Sequence, residues 1–257
     1  MTRKLLLTYT CLILPGIICF AQQKRAIPIK GEIIFSSSSI IPDSSFFVKF
    51  LKESQNRLVN HLIKKLGYND SNIDTTEILS LMGSHISPNM FAEKKDHHFL
   101  YKYKGNSIES HQTDGKQKSS KFSIIDPKKS TITDIDVFGD DTVATDPITF
   151  SYTRIKEENL QELRNEKRII NGYECFKVIY TYKIDFLEDE DYLEVISNNE
   201  QSTATYWVTE KIQSLFHPVC KENSILKKYY PLEISYNDAF HKGLTTIYKL
   251  KSINLSY

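Results

Sequence analysis

The segment Glu174–Ile184, ECFKVIYTYKI, constrains the fold most, because β-branched and aromatic side chains suit a pleated, half-buried surface. It has several companions. His98–Lys104 (HFLYKYK) alternates, with Phe99, Tyr101 and Tyr103 on one face. Phe122–Ile125 and Thr131–Ile135 flank Asp126-Pro127-Lys128-Lys129, the chemistry of a hairpin turn. Ala204–Thr209 holds the only Trp, and Leu232–Tyr236 and Thr245–Leu255 read as strands paired around Asn237-Asp238 and Lys242-Gly243. Gly31–Phe35 reads as an opening strand, broken by Ser36–Ser39 and Pro42, and Ile148–Ile155 is a further strand candidate.

Helical periodicity is concentrated near the front. Asp43, Ser44 or Ser45 can cap a helix running to about Leu66, with Gly67 as its stop. Phe47, Leu51, Leu58, Leu62 and Leu66 form one stripe on it. A second short helix is predicted over Asp74–Met82, where Asp74 and Glu77 have capping-box spacing. Lys156–Arg164 is read as a short helix or a charged loop, and Asp136–Asp146 and Glu188–Asp191 as acidic loops. Many strands behind one long helix predict an α+β fold: a mainly antiparallel, curved, half-barrel-like sheet packed on one long amphipathic helix.

The N-terminus reads as an export signal. Arg3 and Lys4 precede the mostly apolar Leu5–Phe20, and Ala21 and Cys19 supply small residues at a cleavage site before Gln22. The apolar run is shorter than the ~20 residues of a spanning helix. Ile18 before Cys19 departs from lipoprotein signals, which place a small residue there. The expected division is therefore a signal peptide over 1–21 and one α+β domain over 22–257. Taking 21 residues from 257 leaves 236, ample for a core, and losing Arg3 and Lys4 moves the net charge from +1 to −1. This balance makes no case for nucleic acid or an anionic membrane as a partner of the whole chain. Mean hydropathy is −0.37, and no segment of the mature chain is apolar enough to span a bilayer. Cys175 and Cys220 remain after cleavage; in an exported protein they are expected to form a disulfide worth about 4 kcal/mol, the alternative being two thiols.

Ile169-Ile170-Asn171-Gly172-Tyr173-Glu174-Cys175-Phe176-Lys177 resembles the "I-x-GY-x-C-x-K" segment of the GLPGLI family, exported bacterial proteins of unknown function. Tyr206-Trp207-Val208-Thr209-Glu210-Lys211-Ile212 is similar to that family's "x-W-x-T-x-x-I" strand, and Pro231-Leu232-Glu233-Ile234 to its "P-L-x-I" strand. Thr246–Leu255 and Gly31–Phe35 resemble its closing and opening strands. The resemblance implies a lipoprotein-carrier-like fold, in which a curved sheet wraps a helix and offers a concave apolar surface, in the envelope of a Gram-negative bacterium.

Signals of chemistry are sparse. His97 and His98 adjoin at a strand start and would point to opposite faces, and His61 lies on the helix near Lys64 and Lys65. None of the seven His has metal-site spacing, so no metal is expected. Asp134–Asp141 has the acids of a calcium loop, but an EF-hand would need an oxygen ligand at Phe138 and an acid at Thr145. No G-x-S-x-G is present, and Ser36–Ser39 lacks an identifiable base. No cofactor and no catalytic residue is expected. The sequence supports an exported, non-enzymatic binding or carrier-like protein for an apolar ligand or an envelope component. Alternatives are an envelope assembly factor, or a hydrolase whose site gathers His61, His97 and acidic groups.

Overall fold

The computed structural model describes residues 25–65, 97–113, 120–187 and 190–257. The export signal, the short helix expected over 74–82, and the helix stop at Gly67 lie outside these residues.

Alternation dominates what is described. Strands β1 (Lys30–Ile40), β2 (His98–Lys104), β3 (Ile108–Thr113), β4 (Lys121–Asp126), β5 (Thr131–Phe138), β6 (Asp141–Ala144), β7 (Ile148–Thr149), β8 (Ile155–Ile170), β9 (Tyr173–Ile184), β10 (Ser202–Thr209), β11 (Tyr230–Asn237) and β12 (Thr245–Ser256) join in one sheet. Its order is β6-β5-β4-β3-β2-β1-β12-β11-β10-β9-β8, with β7 beside β5. Every pairing between named strands is antiparallel, and β6 and β8 at the two ends of the order do not pair with each other, so the sheet is open. Register shifts at Ile34/Phe35, Trp207/Val208 and Leu163/Lys167 mark bulges, which bend strands and help to curve the sheet.

Among the described residues three helices accompany it: α1 (Ser44–Lys65), α2 (Asp191–Ser197) and α3 (Asn223–Leu226). The Asp43 carboxylate caps α1, accepting from Phe46 N (3.0 Å) and Ser45 Oγ (2.6 Å).

One face of the sheet is apolar across nearly its whole width. Ile125, Ile108 and Tyr103 lie abreast on one row, and Val178, Tyr206, Ile234 and Tyr248 on another. The crossover from β10 to β11 packs onto this face with Ile212, Phe216, Cys220, Ile225, Leu226 and Tyr229, joined by Phe150. Rings set its depth: Phe216 meets Phe150 edge-on (5.0 Å), and Tyr229 meets Phe176 (5.3 Å). The expected concave face is thus filled largely by the chain's own crossover. Helix α1 instead rests at the rim, where Phe47 and Leu51 pack with Leu244 of the β11–β12 turn.

Four expectations are corrected. Ser36–Ser39 do not break the first strand; β1 runs on to Ile40, with Ser36 buried and Ser37 N donating to His97 O. Lys156–Arg164 is neither helix nor loop but part of the sixteen-residue edge strand β8. Asp136–Asp146 is a hairpin, β5 turning through Gly139 (φ 63°) into β6. Of Ile148–Ile155, only Ile148–Thr149 and Ile155 are in strands.

Candidate functional site

Helix α2 lies along α1 and is clamped at both ends. At its N-terminus Asp191 is paired with Lys65 Nζ (2.8 Å) and His61 Nε2 (3.2 Å). Lys65, foremost, holds the Asp191 carboxyl below its ordinary range. At the other end the Arg57 guanidinium donates to Val195 O (3.2 Å), Ile196 O (3.0 Å) and Ser54 Oγ (2.8 Å), serving carbonyls that a helix C-terminus leaves open. Asn198, left-handed at φ 55°, ends the helix.

Between these helices lies a cleft of about 410 Å³. Leu51, Ser54, Gln55 and Leu58 line it from α1, Leu193 and Ile196 from α2, and Phe240 and His241 from the β11–β12 turn. Phe240 is braced edge-on against Phe186 (5.8 Å), and His241 Nδ1 is paired with Asp238 (3.2 Å). Five of these eight side chains are large and apolar, so the cleft can hold an apolar body by exclusion of water, with polar groups confined to its margin.

A second concavity, about 650 Å³, is polar and opens over β3–β6. His97, Ser110, Gln112, Thr113, Lys121, Ser123, Asp134, Asp136 and Thr145 line it. Its charges are matched internally: Lys121 pairs with Asp136 (2.9 Å), and Ser123 Oγ donates to Asp134 (2.6 Å). Two acids of the suspected calcium loop, Asp134 and Asp136, are therefore engaged by strand neighbours. Among the described residues no group of three or more His, Cys, Asp or Glu is placed to hold a metal.

His61 and His97 do not meet in one pocket: His61 joins the α1–α2 clamp and His97 lines the polar groove. His98 opens β2 opposite Ser36 and Thr113. The expected Cys175–Cys220 disulfide is not formed; both are free, buried thiols. Cys220 Sγ donates to Glu222 (3.1 Å), and Cys175 Sγ lies 3.6 Å from Tyr173 O. Burial pushes the Cys175 thiol up to about 12 and the Cys220 thiol well above its ordinary value, so neither is a ready nucleophile.

Buried polar groups cluster under the crossover instead. His217 is fully buried between the Phe35 and Tyr230 rings, 4.8 and 4.7 Å away. Its Nε2 donates to Pro231 O (2.9 Å), and its Nδ1 accepts from Val219 N (3.1 Å) and Cys220 N (2.9 Å). Burial lowers its pKa to about 3, so the ring is neutral and works as a turn-forming bridge. Glu222 accepts from Tyr236 Oη (2.8 Å) and Lys221 N (3.1 Å) as well as from Cys220.

Sequence reasoning found α1 and, in Phe47 and Leu51, part of its buried face, Leu58 and Leu62 being half-buried and Leu66 outside the described residues; it missed Phe50 and Val59 on that helix, and α2 and Phe240, which complete the cleft. The signal for α2 was faint: Leu193 and Ile196 three apart, Asp191 in the first turn, and Asn198 as a stop.

No family model matches the chain, and no curated protein matches it, so the GLPGLI resemblance rests on its motifs alone. Solved structures with some likeness include the Mycobacterium tuberculosis lipoprotein LppX, at TM-score 0.31 and 9% identity over 89% of this chain and 88% of that one. A LolA superfamily protein from Nitrosomonas europaea scores 0.32 at 10% identity, over 91% and 89%. LprF from Mycobacterium bovis scores 0.27 at 9%, over 64% and 74%. These overlaps are loose, and no functional statement follows from them.

Proposed function

We propose that this protein is an exported, non-enzymatic carrier-like protein that holds an apolar ligand, and that the α1–α2 cleft, rather than the concave sheet face that the GLPGLI resemblance implies, is where it is held. One observation carries the reading: Leu51, Leu58, Leu193, Ile196 and Phe240 converge on an open cavity of about 410 Å³ while the main core is closed by the β10–β11 crossover. An open apolar cavity of this size is within the range of small-molecule sites. The non-enzymatic part is supported by the nature of the cleft's polar margin. His241 is tied to Asp238 (3.2 Å), and the Ser54 hydroxyl accepts from the Arg57 guanidinium (2.8 Å), so both are engaged in holding the structure.

Native mass spectrometry of the protein purified from its own periplasm tests this. The expected spectrum carries an added mass that organic extraction removes and that Leu193→Asp abolishes while the fold persists. A parent protein with no added mass, which also takes up no fatty acid or phospholipid offered in micelles, would count against the carrier reading.

A further inference from the structure

The end of the sheet opposite the cleft is one of several places where large apolar side chains are exposed, and it is the one where cations accompany them. The chain enters there through an extended stretch, in which Pro28 turns inward and leaves Ile27 64% and Ile29 50% exposed. Both are held in place. Ile29 N donates to Ser256 O (3.0 Å), Gly105 N donates to Ile29 O (2.7 Å), and Ala26 bridges Ile212. Beside them Tyr257 Oη meets Tyr173 Oη (3.0 Å) in the β8–β9 hairpin, whose Ile169 is 68% exposed. Fixed apolar side chains from three separate parts of the chain thus share one rim, where scattered single residues would need no explanation.

The charge at this rim differs from that of the chain as a whole. Glu109 and Glu174 are matched by Lys104 and Lys167. Arg25, Lys30, Lys102 and Lys211 enter no ion pair among the described residues, against the single unpaired acid Glu32, which leaves a local excess of positive charge. Apolar side chains ringed by unpaired cations match the boundary of an anionic phospholipid bilayer, where the acyl region takes the former and headgroups the latter.

We propose that the rim formed by Ile27, Ile29, Ile169 and Tyr257, with Arg25, Lys30 and Lys211, docks on an anionic phospholipid bilayer. The inference is independent of the ligand reading. It places the α1–α2 cleft on the far side, about 35 Å from the lipid, since β1 has 11 residues at ~3.3 Å each.

Flotation of the protein, as recovered after export, with vesicles tests this. Vesicles of phosphatidylglycerol and phosphatidylethanolamine are compared with pure phosphatidylcholine. The parent is expected to float with the anionic vesicles and to be released as salt rises. Ile27→Ser with Ile169→Ser, and separately Lys30→Glu with Lys211→Glu, each lower partitioning about tenfold or more. Ile27, Ile169 and Lys30 are exposed and Lys211 is half-buried, and unchanged melting curves confirm that the variants are folded. Tyr192→Ser, exposed at the cleft end, leaves flotation unchanged. The proposal is overturned if the parent does not float, if both rim variants float like the parent, or if Tyr192→Ser loses as much as they do.

Discussion

At the scale of single residues, two positions join backbone or burial to a measurable stability. Gly31 has φ 117°, and a Cβ built there would lie 1.9 Å from Asn254 O of the neighbouring strand. The Gly31→Ala chain must therefore part β1 from β12 or strain its backbone, at a cost of about 3 kcal/mol. The expected result is a Tm lower by roughly 6–12 °C in a scanning melt. His217 makes stability depend on pH. Its folded pKa, about 3, is below the 6.5 of an exposed imidazole, so between those values the unfolded chain binds a proton that the folded chain refuses. Stability is full above about pH 6.5 and is lost as pH falls. Between pH 7.5 and 5.5 the loss should be about 1.4 kcal/mol in urea titrations, before ordinary carboxylates begin to protonate. His217→Gln should be less stable at pH 7.5 yet flat across that interval; a slope that persists in the variant would assign the effect elsewhere.

At the scale of elements, α1 and α2 form a unit because charge and carbonyls match end to end. Antiparallel packing sets the basic last turn of α1 against Asp191 and sets Arg57 against the last carbonyls of α2. Arg57→Ala removes the donors to three acceptors at once. It should lower stability by about 1–3 kcal/mol and weaken binding of a fluorescent fatty acid to the cleft several-fold. Lysine cannot reproduce the planar fork, so Arg57→Lys should recover little of the affinity. The edge strand β8 shows a different economy. Its sixteen residues carry Glu157, Glu158, Glu162, Arg164, Glu166, Lys167 and Arg168, and a bulge at Leu163/Lys167, devices that deter pairing with another chain's edge. The same charges are why β8 resembles a charged loop in sequence: an edge strand with much of its length in water has little apolar alternation to show.

At the scale of the whole molecule, the free thiols report on how the two core clusters are built. Cys175 belongs to the cluster around β1, β2 and β11, whereas Cys220 belongs to the one around β9 and β10. Reducing agent is accordingly expected to leave Tm unchanged, and both thiols should react with Ellman's reagent only in denaturant. A fall of many degrees on adding dithiothreitol would instead reveal a Cys175–Cys220 bond, since a link of that loop length is worth about 4 kcal/mol.

Much of this architecture was legible in the amino-acid order alone. Alternating aromatic strands such as His98–Lys104 and Tyr173–Ile184, and the stripe on α1 behind Asp43, are local periodicities, and local periodicity is what a strand or helix needs in order to bury one face. They determine an open antiparallel sheet with one long helix. Which surface stays open is not a local property. The crossover 210–229 fills the apolar face because Phe216, His217 and Tyr229 find partners far away in sequence, including Phe35, Phe150 and Phe176. The cleft exists only because α2 and Phe240, distant along the chain, meet α1 at the rim. Cys175 and Cys220 likewise have the composition of a disulfide, and their separate burial is settled by packing. Secondary structure follows from neighbours a few residues apart, whereas cavities, thiol pairing and exposed rims depend on long-range contacts that no short pattern encodes.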